Sequence, residues 1–298
     1  MSKLLVLGID RGPDPRDQTD CYAVVSAALM QAFNKLIPGE ARLVNVDANS
    51  SLDDIRGEAE FVLFVGYLLL WNRLSLPEIR QRTGCRKIAS LCEYSFFAKE
   101  VGTPNKPDWA FRFLDDGAPC STTIYAPLMK EYYKNEPKEK VILIDHGWPC
   151  LKDTESEWTF RISDWLAPLR NRFEIIRMSR YPEYEAPTWK PHEVALPMVP
   201  FREYLERTNR VETFVVTHFE TYGFQVADMV ARGIRVVTPP GMLHQTHIER
   251  FGLPIFRNSV ELQQIVMSPV EPRWAELANY CTDYLDVAKT ILTTLESL

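Results

Sequence analysis

The sequence predicts an α/β protein made of two Rossmann-like halves, each a doubly wound parallel sheet, facing each other across a cleft. Three observations carry that prediction. Several apolar runs are continuous rather than alternating, as strands buried on both faces require (Leu4–Ile9, Phe61–Leu69, Val141–Asp145). Strand-like and helix-like segments alternate, which favours parallel sheets flanked by helices. The alternation pauses at the charged, proline-bearing stretch Tyr133–Lys140 and restarts at Val141, so the pattern reads as two similar halves.

Leu4–Ile9 is the first strand, and Arg11–Asp20 (RGPDPRDQTD) is a polar loop. Cys21–Leu36 is a helix with Asp20 or Thr19 as N-cap, ended by Pro38-Gly39. Arg42–Val46 and Phe61–Leu69 are strands. Leu76–Thr83 is a helix with proline in its first turn and Gly84 at its end, and Lys87–Cys92 is a fourth strand. Ala110–Leu114 reads as a further strand, and Cys120–Tyr133 carries a short helical pattern around Pro127.

Val141–Asp145 opens the second half, and His146–Thr154 is a loop. Glu155–Leu169 is a helix with an apolar stripe at Trp158, Ile162, Trp165 and Leu169, followed by a strand at Phe173–Met178. Tyr181–Pro200 holds five prolines and reads as irregular apart from a short strand near Val194–Leu196. Phe201–Arg210 is a helix. His247–Phe251 is a short helix, and Pro272–Leu298 reads as one amphipathic helix. The domains expected are 1–132, a linker at 133–140, 141–271, and a final segment 272–298.

The segment 213–237 (TFVVTHFETYGFQVADMVARGIRVV) is the most informative. It reads as a buried strand (Phe214–Val216), a polar turn (Thr217–Gly223), a helix (Phe224–Arg232), a glycine stop at Gly233 and a second strand (Ile234–Val237). The turn sets Glu220 and Gly223 at a helix mouth, whose N–H groups and dipole favour an anion. Asp228 follows Glu220 by eight residues. An anion cradle beside two hydroxyl-seeking carboxylates suits a sugar nucleotide.

This unit resembles the C-terminal signature of retaining glycosyltransferases of family 4, which have the GT-B architecture. The signature runs Glu, two residues, Gly, a hydrophobic residue, three residues, Glu, then Ala-Met-Ala-x-Gly-x-Pro-Val. Here Glu220, Gly223, Phe224, Asp228 and Gly233 stand at its places. The second acid is Asp, the usual proline is Arg235, and the usual glycine after the first Glu is Thr221. In the loop after the first strand of the second half, the family's glycine-arginine pair reads Gly147-Trp148, with Lys152 downstream.

The resemblance implies a glycosyltransferase that moves a sugar from a UDP- or GDP-sugar to a hydroxyl, with retention and without a metal. It implies donor contacts by Gly223, Phe224, Asp228, Tyr222, His218 and Gly147. Glu220 would stand by the donor sugar, and Lys152 or Arg177 would meet the diphosphate. On the acceptor side, Gly8, Arg11 and Gly12 stand nearest the family's glycine-rich loop, and Glu93, Asp10 and Asp20 are candidates for orienting the acceptor. The final helix would cross back to the N-terminal domain. A sugar-nucleotide epimerase of the same fold and a non-catalytic binding protein are the alternatives.

Composition narrows the partners. The chain has 298 residues, 46% hydrophobic and 25% charged, with a formal net charge of −6. That charge weighs against broad binding of a polyanion. The resemblance nonetheless makes a hydroxymethylated DNA base one candidate acceptor, since small viral enzymes of this architecture modify such a base; the five arginines between Arg161 and Arg180, against two acids, Asp164 and Glu174, count slightly for it. The apolar run Phe61–Trp71 is too short to span a bilayer. MSKLLVLGID suits a buried strand better than a signal peptide. Six dispersed cysteines read as reduced thiols of a cytoplasmic protein. His244 and His247 have no third partner at ligand spacing, so no metal is expected. The sequence assigns no oligomeric state.

Overall fold

The computed structural model describes residues 2–46, 53, 55, 57–66, 75–92, 107–113, 119–125, 127–133, 136–145, 161–179, 191–217, 224–270 and 276–298. The chain divides into two compact units, Met1–Met129 with Thr282–Leu298, and Lys130–Cys281.

The first unit begins with β1 (Ser2–Gly8), whose Leu4, Leu5, Val6 and Leu7 are all buried. Helix α1 (Cys21–Leu36) follows, and the Asp20 carboxylate accepts from the amides of Tyr22 (2.9 Å) and Ala23 (3.3 Å), satisfying two donors of its first turn. The strands β2 (Ala41–Asn45), β3 (Ala59–Val65), β4 (Lys87–Cys92), β5 (Trp109–Arg112) and β6 (Ser121–Thr123) complete a six-stranded sheet in the order β2-β1-β3-β4-β5-β6. Every pairing is parallel. Helix α2 (Leu76–Thr83) ends on Gly84 at φ 64, a left-handed cap that glycine adopts without strain. Its Leu76 and Ile79 pack over Leu5, Leu7, Val62 and Ile88.

The stretch expected to be helical around Pro127 is extended instead. Its β-branched Thr122 and Thr123 join the sheet edge beside β5, and Pro127–Leu128 forms β7. Only a short 3-10 turn, Lys130–Tyr132, remains of the helical pattern.

In the second unit, β8 (Val141–Ile144), β9 (Glu174–Ser179), β10 (Glu193–Pro197), β11 (Thr213–Val215) and β12 (Arg235–Val237) form a parallel sheet in the order β10-β9-β8-β11-β12. Helix α3 (161–166) runs into a 3-10 turn at Ala167–Leu169. The remaining helices are α4 (Phe201–Thr208), α5 (Phe224–Ala231), α6 (Gln245–Phe251) and α7 (Ser259–Met267). Ile162, Leu166 and Phe173 pack with Val215, Phe256 and Leu262 over one face of the sheet. Trp165 sits edge-on to Phe256, so it belongs to this core; Trp158 lies outside the described residues.

Helix α7 has no counterpart among the expected elements. Asn258 caps it through the Glu261 amide. Arg235 ties its far end to β12, donating to the carbonyls of Ile265 and Ser268. The C-terminal segment is not one helix. Leu277–Tyr280 is a 3-10 turn, and β13 (Thr282–Asp283) pairs with β7. Helix α8 (Tyr284–Ser297) starts where Asp283 caps the Leu285 amide at 2.7 Å and packs against α1 of the first unit. A capping carboxylate at Asp283 starts a helix there rather than continuing one.

Each sheet has a point where the order of strands reverses. It lies between β1 and β3 in the first unit and between β8 and β11 in the second. Open parallel sheets bind ligands outside the carboxyl ends of the strands at such points.

Candidate functional site

The carboxyl edge of the second sheet is drawn tight at its reversal point. Past the end of β8, the Asp145 amide donates to the Val215 carbonyl at 3.0 Å. Past the end of β11, the Thr217 hydroxyl donates back to the Asp145 carbonyl at 3.1 Å. Both residues are buried. The two strands therefore release the chain side by side, one into 146–160 and the other into 218–223. Those segments carry Gly147, Lys152, His218, Glu220, Tyr222 and Gly223, all outside the described residues, as is Glu93 of the first unit.

Helix α5 begins at Phe224, whose ring lies 6.0 Å from that of Phe201 on α4. Gln225 reaches the Met178 sulfur near the end of β9 at 2.8 Å. The helix stops at Gly233, φ 74, where the Gly233 and Ile234 amides return to the carbonyls of Val230 and Met229.

Asp228 lies in the middle of α5 and is fully buried. Its Oδ2 accepts from Arg232 Nη2 at 2.5 Å and from the Tyr204 hydroxyl at 3.2 Å. Arg232 is equally buried and also donates to Thr208 Oγ1 at 2.8 Å and Asn209 Oδ1 at 3.4 Å. The Asn209 carbonyl takes the ammonium of Lys138 at 2.6 Å. Burial pulls the Lys138 pKa down to about 8, and the Arg232 charge works in the same direction. Burial pushes the Tyr204 phenol well above its ordinary value, and Asp228 adds to the effect. For Arg232, burial opposes the charge, but Asp228 together with Tyr204 and Tyr133 outweighs it, and the guanidinium stays above its usual range. Arg232 was not paired with Asp228 from the sequence, although their i,i+4 spacing was the signal that could have done so. Tyr204, twenty-four residues upstream, gave no such signal.

Arg177 is buried on β9, paired with Glu193 of β10 at 3.3 Å; Glu193 in turn accepts from the Ser163 hydroxyl. Its charge thus already has a carboxylate beside it. His244 caps α6 by accepting from the Thr246 amide, and His247 is buried.

In the first unit, the loop after β1 is held by its own polar groups. Asp10 takes the Gly12 amide at 3.1 Å, and Gln18 donates to the carbonyls of Gly12 and Asp14. Gly12 has φ 124, a backbone state suited to glycine. Arg11 is exposed, and Asp20 is engaged at the start of α1. One buried cation went unnoticed in the sequence: Arg112, in the last position of β5, sits at the carboxyl edge of this sheet. An arginine ending a short apolar run gives no sequence signal of burial.

No family model matches the sequence, and no curated protein matches it. Solved structures match over nearly the full length. Sucrose-phosphate synthase from Thermosynechococcus elongatus matches with a TM-score of 0.66 at 9% identity, covering 100% of this chain and 99% of its own. AviGT4, a glycosyltransferase involved in avilamycin A biosynthesis, matches with a TM-score of 0.64 at 11% identity, covering 99% of this chain and 97% of its own. HepE from Anabaena, solved with UDP and glucose, matches with a TM-score of 0.62 at 11% identity, covering 100% of both chains. The chain therefore has the GT-B fold of these glycosyltransferases. Among the described residues, no helix is long and apolar enough to cross a membrane.

Proposed function

We propose that this chain is a glycosyltransferase that moves a sugar from a nucleotide diphosphate sugar to a hydroxyl acceptor. The observation that carries the reading is the paired release of the chain at Asp145 and Thr217. It sends the two segments bearing the glycosyltransferase-like residues out of one sheet edge, at the reversal point between adjacent strands. The fold shared with HepE, which was solved with UDP-glucose, supports a UDP-sugar donor, and a GDP-sugar is the second candidate. The donor is a substrate, and no further cofactor is proposed.

In this reading the diphosphate lies against the N terminus of α5 near Gly223, where amide groups and the helix dipole receive negative charge. Arg177 is already paired with Glu193, so Lys152 is the cation assigned to the leaving group. Glu220 holds the donor sugar, and Asp228 takes a nucleoside hydroxyl. Fixed donors of this kind stabilise a departing diphosphate without a divalent metal. The bond from the anomeric carbon to the phosphate oxygen breaks as the acceptor oxygen bonds to the same face, with retention. The acceptor proton passes to the departing phosphate oxygen. Glu93 and the loop bearing Arg11 and Gly12 orient the acceptor.

Glu220→Ala should abolish transfer from UDP- or GDP-sugars while leaving the circular dichroism of the protein unchanged. Full activity in that variant removes the assignment. A sugar nucleotide at about 100 times its dissociation constant should stabilise the protein by about 2.7 kcal/mol in a thermal-shift screen. A DNA acceptor requires binding to hydroxymethylated duplex at low salt that weakens steeply as salt rises; no such binding leaves a small soluble acceptor.

A further inference from the structure

We propose that Tyr204 and Arg232 are positioning residues, which hold one oxygen of Asp228 so that its other oxygen, Oδ1, receives a neutral hydroxyl of the bound ligand. This rests on the donor reading above and adds to it the pair that aims the carboxylate.

The two oxygens of Asp228 are used unequally. Both protein donors, the Arg232 guanidinium and the Tyr204 hydroxyl, converge on Oδ2. Oδ1 is buried and has no hydrogen-bond partner among the described residues. An ionised carboxylate has capacity for about four donors, and a buried acceptor left without one costs about 1–3 kcal/mol. A carboxylate fixed through one oxygen, with the acceptor capacity of the other unused among the described residues, is half of a binding contact.

The charges near it select the partner. Arg232 already neutralises Asp228, and Lys138 lies next in the chain of contacts through Asn209. A cation at Oδ1 would put a second positive group on a carboxylate that Arg232 already neutralises, and an anion would oppose the carboxylate itself. A hydroxyl donates without adding charge. Tyr204 contributes from α4 and Arg232 from the turn that ends α5, so the carboxylate is held from two elements rather than left to rotate. The Tyr204 ring also stands 5.4 Å from the Arg232 guanidinium carbon, which holds the arginine in place.

The test is calorimetric titration with UDP and GDP, each alongside its 2′-deoxy and 3′-deoxy analogues. Wild-type protein should bind the better nucleotide at least tenfold more tightly than one of its deoxy analogues, the order expected for a hydrogen bond to a charged group. Tyr204→Phe removes one hydroxyl, keeps the ring and should cut that ratio about threefold or more with little change in melting temperature, as the loss of one of two aiming contacts implies. Arg232→Met should abolish the ratio, and Arg232→Lys should restore part of it. Discrimination unchanged in Tyr204→Phe overturns the inference even if Arg232→Met does not fold. A wild-type protein that binds a nucleotide but does not discriminate against either analogue also overturns it and leaves the donor reading standing. Binding of neither nucleotide removes both.

Discussion

Gly8→Ala should destabilise the first unit through one side chain, and Ser26→Ala should rescue it. Gly8 ends β1 beside Ser26 of α1. A Cβ there would stand 2.5 Å from Ser26 Oγ, but 3.4 Å from both Ser26 Cβ and Val65 Cβ. Only the first distance is a clash; the others are ordinary contacts. Gly8 is not among the glycines with positive φ, so its backbone accepts alanine. Overpacking of this kind costs about 1–3 kcal/mol, offset by about 0.4–1 kcal/mol from the stiffer unfolded chain. Ser26→Ala alone deletes a buried hydroxyl with no hydrogen-bond partner among the described residues, so it should be neutral or stabilising by about 1 kcal/mol. The double variant should then equal or exceed the wild type, giving a coupling of about 1 kcal/mol or more. Urea unfolding with hydrogen exchange read on peptides of β1 and α1 isolates this unit from the other. If Gly8→Ala is as stable as the wild type, or Ser26→Ala does not rescue it, the close approach is not what fixes glycine here.

Three further outcomes follow from the second unit and the thiols. Asp228→Ala leaves Arg232 charged and buried without its carboxylate, and should cost about 3–5 kcal/mol in urea unfolding, whereas Asp228→Leu with Arg232→Met should recover most of the loss. Equal stability of the single and double variants would contradict the burial of that pair. Lys138, lowered to about 8 when folded from 10.5 when unfolded, opposes folding fully below pH 8. Stability should rise between about pH 8 and 10.5 as the unfolded state holds the extra proton. Lys138→Met should lose that rise, and an identical pH profile in the variant would count against it. Cys281 is buried, with its thiol pushed up to about 12 mainly by burial, and Cys120 is exposed. Iodoacetamide followed by peptide mapping should modify the exposed Cys21 and Cys120 early and leave Cys281 intact until urea is added; early modification of Cys281 would show its packing to be open.

Elements with a strong local signal were legible from the sequence. The unbroken apolar runs gave β1 and β8 because both lie inside their sheets. Asp20, Pro38 and Gly39 bounded α1, and Gly84 and Gly233 marked helix ends because their left-handed backbones favour glycine. Elements that depend on distant partners were hidden. Ser121–Thr123 becomes a strand only because β5 offers an edge, and Thr282–Asp283 only because β7 does. Arg235 breaks the family pattern at the usual proline, and its reason is tertiary: it holds the carbonyl end of α7. At the candidate site, sequence spacing picked out Asp228, but not that Tyr204 would share its oxygen. Arg177 looked like a phosphate ligand because Glu193, its neighbour across β9 and β10, is sixteen residues away in sequence.

The sheet edge between β8 and β11 is probed most directly by hydrogen exchange with and without saturating UDP-glucose, repeated with GDP-mannose. Slower exchange should appear in peptides covering 145–155 and 217–228, with little change at β10 or α7. Protection confined to the first unit, or none at all under saturation with every sugar nucleotide that shifts the melting temperature, would put the donor elsewhere.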